Sequence, residues 1–386
     1  MRLLLAIPYF APAYAFGGSV TVAETVVADA LAAGHQVTVA TTDVLDEHNR
    51  IEPGAPAVPE GAEVVRFRNV SHRAAAAVNA YLPRGYRRWA RANAGRFDAV
   101  LLHDVYSAVS VGAARAAVAA GVPYALQPLG TLSPAAERGR PLAKRAFLAL
   151  FARRTLAQAT ALVHSTDAER QDFLDVGADP AKLVRLPLPL ELPELTGVSL
   201  APEPTVAYVG RLHEIKGIDR LIRAVAIVRE RIPGIRLVIV GPGERYQRGL
   251  ESLAAQLGVT DAVEFRGFVS AEEKFRVLES AHVSALLSRS EGLPMAALEA
   301  MATGTPVVLS EGCHLPEIDG IAGVVVPGEP EDTAAALTGL LEDEDRRRRL
   351  GEGAQSFADD FRREVVMPRM LEMLEGLAGA RLSSPA

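Results

Sequence analysis

Glu291 and Glu299 are separated by seven residues in the stretch Ser290-Glu291-Gly292-Leu293-Pro294-Met295, continuing through Glu299 to Gly304, Pro306 and Val308. The first acid lies in a Gly/Pro loop and the second in an Ala/Leu/Met-rich helical run. Gly304 and Pro306 stop that run, and β-branched residues then begin a strand. Pro294 suits the first helical position, where its missing N–H costs nothing. The amides around Gly292, Leu293 and Met295 are then expected to point, unpaired, in front of the helix. Free donors at a helix start favour an anion, and a diphosphate fits such a place. Glu291 would flank the bound group, and Glu299, deeper in the helix, could accept hydrogen bonds from a diol such as a ribose. An isolated pair at this spacing is more often a solvated acid beside an ordinary loop; the loop–helix–strand setting favours the binding reading.

A second set of groups points the same way. Gly210-Arg211-Leu212-His213-Glu214-Ile215-Lys216-Gly217 follows an apolar β-branched run, so a planar guanidinium and a compact ammonium stand five positions apart beyond a strand. That is an anion clamp, or a surface loop with solvated cations. Gly241 sits in another strand-end loop, as tight turn or as ligand contact, and Gly17-Gly18 precedes the first long helix, where backbone can approach a ligand closely. His103 ends a strand and opens a loop, which places it where such sheets bind ligands, although a structural histidine is the commoner outcome. The loops contain neither a complete G-x-G-x-x-G nor a G-x-x-x-x-G-K-[ST], which argues against nicotinamide-dependent and P-loop chemistry. Cys313 and His314 lack a second cysteine or a spaced histidine partner and read as a loop, not a metal site. The run Glu342-Asp343-Glu344-Asp345 leads into Arg346–Arg349 and reads as a solvated helix junction, so no metal is expected.

The elements that must hold these groups are legible from periodicity. Strands are expected near Leu3–Pro8, Gln36–Ala40, Glu63–Phe67, Ala99–Leu102, Pro123–Leu126, Ala161–His164 and Leu183–Leu186. The rhythm repeats at Val206–Val209, Arg236–Val240, Val263–Phe265, Val283–Leu287, Pro306–Leu309 and Val324–Val326. Ala-rich helical runs such as Val20–Ala33 and Ala108–Ala120 fill the gaps, which means parallel sheets covered on both faces. Pro187, Pro189, Pro193, Pro202 and Pro204 crowd the junction between the blocks. The expected fold class is α/β, with two doubly wound domains facing a central cleft: residues 1–190, a linker at 191–204, and 205–360. A last helix, about Arg362 to Leu377, carries apolar Val365, Val366, Met370, Leu371 and Leu374, with a frayed tail after Gly376.

Composition narrows the class. The 386 residues suffice for two cores, and 49% hydrophobic with 23% charged residues describes an ordinary globular protein. A formal net charge of -6 argues against a general nucleic-acid binder. One cysteine fits a reducing cytoplasm, and Leu3–Ile7, cut by Pro8, is too short to cross a membrane. Two segments are basic with aromatics interleaved: Arg84, Tyr86, Arg87, Arg88, Trp89, Arg91 and Arg96, then Arg138, Arg140, Lys144, Arg145, Phe147, Phe151, Arg153 and Arg154. They suit an anionic membrane surface or a phosphorylated lipid carrier, or equally an ordinary cationic helix face.

The motifs around Glu291 and Glu299, and the G-R-L-x-x-x-K-G pattern at Gly210–Gly217, resemble the retaining nucleotide-sugar glycosyltransferases of family 4, which have the GT-B fold. The resemblance runs over almost the whole chain. It implies that Glu291 lies by the donor sugar, Glu299 holds the nucleotide ribose, and Arg211 and Lys216 bind the diphosphate and stabilise it as it leaves. It places Gly17 and Gly18 at the donor phosphate and acceptor, Arg266 near the base, and His103, within a D-x-V-x-x-H-like segment, at the sugar or acceptor. A segment that often carries His before Gly has Leu129 before Gly130 here, so that loop's role is left open. The resemblance further implies that residues 361–386 cross back to the first domain. The expected activity is hexosyl transfer from a UDP- or GDP-hexose to an acceptor hydroxyl without metal, the leaving phosphate taking the acceptor's proton. A GT-B nucleotide-sugar 2-epimerase and a non-catalytic nucleotide-binding scaffold are the rival readings.

Overall fold

The computed structural model describes residues 1–46, 48–52, 54, 58–71, 81–132, 146–192 and 195–383, with side chains through residue 380. Arg138, Arg140, Lys144 and Arg145 of the second basic segment, and Pro193, lie outside the described residues.

The first sheet contains β1 (Arg2–Ala6), β2 (Gln36–Thr42), β3 (Glu63–Phe67), β4 (Ala99–His103), β5 (Tyr124–Gln127), β6 (Ala161–His164) and β7 (Leu183–Arg185). All pairings are parallel, in the order β3-β2-β1-β4-β5-β6-β7. Alternation along β1 divides its side chains between two cores. Leu4 and Ala6 join one with Tyr86, Val109 and Leu156, while Leu3 and Leu5 join the other with Val20, Val26 and Met370. A strand buried on both faces must be apolar at every position, which is why Leu3-Leu4-Leu5-Ala6 is an unbroken run.

The second sheet contains β8 (Thr205–Val209), β9 (Arg236–Val240), β10 (Val263–Gly267), β11 (Val283–Leu286), β12 (Val307–Ser310) and β13 (Gly323–Val326), also parallel, in the order β10-β9-β8-β11-β12-β13. The direction of winding reverses between β1 and β4 in one sheet and between β8 and β11 in the other. Loops leaving the carboxyl ends at such a reversal diverge and leave room for a ligand. His103 is the last residue of β4 at that end of the first sheet, and the loops of the second carry Lys216 and Glu291.

The chain forms two compact units, Met1–Pro189 with Glu364–Ala386, and Leu190–Arg363. The last helix, Arg363–Ser383, buries Met367, Met370, Leu374, Leu377 and Ala378 in the core beside Leu3 and Leu5. Two expectations are corrected here. Val365 is exposed because it is out of phase with that stripe, and helix continues past Gly376 because Leu377 and Ala378 have a surface to pack on. The Glu342–Asp345 run is a junction between Pro330–Glu342 and Glu344–Asp359, where Asp343 caps the second helix by accepting from the Arg346 N–H at 2.8 Å.

Candidate functional site

Two loops of the second unit are stitched together at the carboxyl ends of β8 and β11. Lys216 Nζ pairs with Glu291 Oε1, and Ser288 Oγ donates to the same oxygen at 2.6 Å. The Glu291 N–H donates to the Gly312 carbonyl at 2.8 Å, and His314 Nδ1 lies 3.0 Å from the Glu291 carbonyl. Arg289 ties the loops from the other side. Its N–H donates to the Ile215 carbonyl at 2.7 Å, and its guanidinium holds Asp219 at 2.8 Å and the Glu214 carbonyl. Gly217 lets them approach, since a Cβ there would stand 2.0 Å from the Leu287 carbonyl oxygen. The result is a rigid frame around one ion pair whose side chains are 19% and 12% exposed. A solvent-reachable ammonium in a mostly dry frame is a good phosphate partner, provided the phosphate outcompetes Glu291.

The helix after this loop spans Met295–Ala302. Pro294 is its N-cap instead of its first helical residue, and the Met295 N–H turns back to the Leu293 carbonyl at 2.9 Å. The expectation of a free Met295 amide is therefore corrected, because that tight turn consumes it. The Gly292 and Leu293 amides make no hydrogen bond among the described residues. Ala297, Leu298, Ala300, Met301 and Ala302 are buried, which leaves Glu299 on the accessible side. There its Oε1 meets Lys274 Nζ at 2.6 Å, a residue of the helix Ala271–Ser280 that follows β10.

Of the remaining expected groups, Gly241 is buried, Gly210 half-buried, and Arg211 and Arg266 exposed. The Gly210 N–H donates to the Val240 carbonyl at 2.9 Å and the Gly241 N–H to the Gly267 carbonyl at 2.8 Å. A Cβ on Gly241 would lie 1.9 Å from the Gly210 carbonyl oxygen, so loop packing by itself requires glycine there. Arg211 is exposed, and its carbonyl accepts from the buried Tyr208 hydroxyl at 3.0 Å, which anchors the loop but not the guanidinium. Arg266 is held by Glu264 at 2.8 Å and Glu273 at 3.3 Å. Cys313 is buried with its thiol pKa pushed up to about 11, first by burial and then by the Glu291 charge, so it is a packing thiol.

In the first unit, His103 lies beside Gln127 across β4 and β5, and both side chains are fully buried. Neither makes a well-formed hydrogen bond among the described residues. Burial drives the His103 pKa down to about 4, against an opposing contribution from Gln127, so the ring is neutral near pH 7. Gly17 is the N-cap of Gly18–Ala32 with φ +80°, and Tyr9 stacks on Phe16 just before it at 4.2 Å. The Tyr9 hydroxyl is pushed up to about 12 by burial, and secondarily by the Asp104 charge. Gly130, after the left-handed Leu129, donates its N–H to Glu169 at 2.8 Å. The sequence reading missed Ser288 and Lys274. Ser288 was findable, three residues before Glu291, whereas Lys274 reaches Glu299 only through helix packing.

Residues 17–189 match the model of the glycosyl transferase 4-like domain, and residues 198–357 match that of glycosyl transferases group 1. The chain belongs to the group 1 glycosyltransferases of family 4. Among curated members, the D-inositol 3-phosphate glycosyltransferase of Nocardia farcinica is 38% identical over 217 residues, covering 54% of this chain and 48% of that protein. The corresponding protein of Actinosynnema mirum is 35% identical over 228 residues, covering 53% and 55%. The chain spans about half the length of the curated relatives it matches. Anabaena HepE in complex with UDP superposes with a TM-score of 0.75 at 19% identity, over 97% of this chain and 100% of that one. WaaG, a glycosyltransferase involved in lipopolysaccharide biosynthesis, gives 0.70 at 20% identity, over 97% and 100%. At those identities the likeness is one of fold, and the fold is the two-domain GT-B arrangement of parallel sheets.

Proposed function

We propose that this family 4 chain is a retaining hexosyltransferase that moves a sugar from a UDP- or GDP-hexose to an acceptor hydroxyl of a carbohydrate, lipid-linked or small-molecule acceptor. The reading extends to polysaccharide or glycoconjugate biosynthesis in the cytoplasm. The observation that carries it is the meeting of Lys216 and Glu291 at the β8/β11 reversal, directly before the helix that presents Glu299. In this reading the donor diphosphate takes Lys216 and Arg211, with the Gly292 and Leu293 amides as further donors, and charge developing on the leaving group is stabilised there. The released Glu291 turns to the donor sugar hydroxyls, and Glu299 accepts from the ribose diol. The acceptor's proton passes to the leaving phosphate as the C–O bond to the nucleotide breaks and the new glycosidic bond forms on the same face. These cations supply the counter-charge, so the reading needs no metal. UDP bound to the HepE fold relative and the glycosyltransferase names of the curated relatives support it.

Calorimetry against UDP, GDP, ADP and dTDP, followed by turnover of the preferred hexoside, tests the assignment. Glu299→Ala is expected to lose nucleotide affinity with turnover at saturation largely kept, whereas Lys216→Ala also lowers turnover by about a hundredfold or more. Equal affinity in Glu299→Ala and the parent sinks the ribose role. Sugar turnover that proceeds without any acceptor points to an epimerase instead.

A further inference from the structure

Six arginines on one side of the first unit lie on helices that carry no acid. Arg87, Arg88 and Arg91 lie on the helix Tyr86–Asn93, Arg115 on Ala108–Ala119, and Arg153 and Arg154 on Arg153–Gln158. All six are exposed, and among the described residues none forms an ion pair with a carboxylate. In the second unit Arg211, Arg223, Arg245 and Arg248 are likewise exposed without such a pair among the described residues, but they stand beside arginines that are paired. Arg220, Arg229, Arg231, Arg266 and Arg289 each hold an acid. What sets the six apart is their surroundings in sequence: residues 84–97 and 146–166 contain no Asp or Glu, and neither does Ala108–Ala119.

The fold gathers these stretches. Tyr86 and Ala90, Val109 and Ala113, and Ala152 and Leu156 all bury into the same core, so the three helices cover the same face of the first sheet. Ala108–Ala119 lies between its two neighbours and packs against both. Apolar groups stand among the cations: Leu150 is 70% exposed and Phe151 36%, with the Arg115 guanidinium 5.6 Å from the centre of the Phe151 ring. The helix Asp167–Asp175, which buries Phe173 in the same core, carries Asp167, Glu169, Asp172 and Asp175.

We propose that this face docks on an anionic lipid bilayer, its arginines among the headgroup phosphates and Leu150 and Phe151 in the acyl boundary. Charge complementarity selects a polyanion, because unpaired arginines are segregated on a chain whose formal net charge is -6. The exposed Leu150 and Phe151 select lipid over other polyanions, since a bilayer removes both from water while a nucleic-acid backbone leaves Leu150 wet. The inference rests on surface chemistry alone and is independent of the reaction proposed above.

The test is flotation of the full chain with vesicles of phosphatidylcholine and phosphatidylglycerol in roughly equal parts, against pure phosphatidylcholine, at low and high salt. Binding is expected to the anionic vesicles only, and to weaken with salt. Each arginine near such a surface contributes about fivefold, so Arg87→Ala, Arg88→Ala and Arg154→Ala together should lower partitioning roughly a hundredfold. Leu150→Ser with Phe151→Ser should lower it roughly tenfold with the salt dependence unchanged. All five positions are exposed, and an unchanged melting temperature confirms that each variant is folded. Equal binding to both vesicle types, or none, overturns the proposal, as does an unaffected arginine triple variant. Tighter binding to single-stranded DNA than to the anionic vesicles, indifferent to the Leu150/Phe151 pair, reassigns the face to nucleic acid.

Discussion

Lys274 Nζ lies 2.6 Å from Glu299 Oε1 and joins the helix after β10 to the helix after β11. The two side chains are 22% and 17% exposed, so the pair is partly shielded from water and holds the carboxylate in one orientation. One glutamate oxygen is occupied by the lysine, which leaves the other to receive a diol.

Lys274→Met should therefore weaken nucleotide binding by about five- to tenfold, less than Glu299→Ala does, and the double variant should be no worse than Glu299→Ala alone. Titration of the three variants with UDP measures this. Additive losses would show that Lys274 acts on the nucleotide separately. Lost thermal stability with unchanged affinity would show that the pair only fastens two helices.

The Lys216–Glu291 pair leads to a less intuitive expectation. If phosphate must displace Glu291 from Lys216, then Glu291→Gln, which keeps the hydrogen bond from Ser288 but removes the competing charge, should bind nucleoside diphosphate about fivefold more tightly. Turnover should fall all the same, because the residue that orients the sugar is altered. Calorimetry and initial rates on one preparation separate the two effects. Weaker diphosphate binding in Glu291→Gln removes the competition argument.

His103 gives a pH signature. Burial lowers its pKa to about 4 in the folded chain, against about 6.5 when unfolded. Between those values the unfolded chain binds more protons, so stability is complete above pH 6.5 and is lost as pH falls toward 4. The difference between pH 7 and pH 5 is about 2 kcal/mol for this single group. Urea midpoints at the two pH values should separate clearly for the parent and less for His103→Gln. Parallel shifts in both would place the acid sensitivity elsewhere.

The sheets were legible from sequence for a physical reason. A strand covered on both faces tolerates no polar interruption, so β1, β9 and β12 stand out as apolar runs between turn residues. Their ends moved by a residue or two, and His103 passed from loop to strand because its backbone still pairs with Gln127. The helix ends were harder. Pro294 fits both the first helical position and the cap, and the choice was made by a turn that consumes the Met295 amide. In the last helix, Val365 and Met367 are equally apolar, and only docking on the first unit decides which is buried. At the site, Glu291 and Lys216 were legible because each sits in a local pattern. Their mutual pairing was not, nor was Lys274, since both depend on which strands become neighbours.

Leu190 enters the second unit and Arg363 leaves it at the same point. The Leu190 N–H donates to the Phe361 carbonyl at 2.6 Å, the Arg363 N–H returns to the Leu190 carbonyl at 3.2 Å, and Arg363 also pairs with Glu191. The unit from Leu190 to Arg363 is therefore a closed insert whose two ends are already fastened to each other. A segment of that kind is portable. Excised, or grafted between two adjacent backbone ends of another scaffold, it is expected to keep its own sheet, which a cooperative melt of residues 190–363 alone would check.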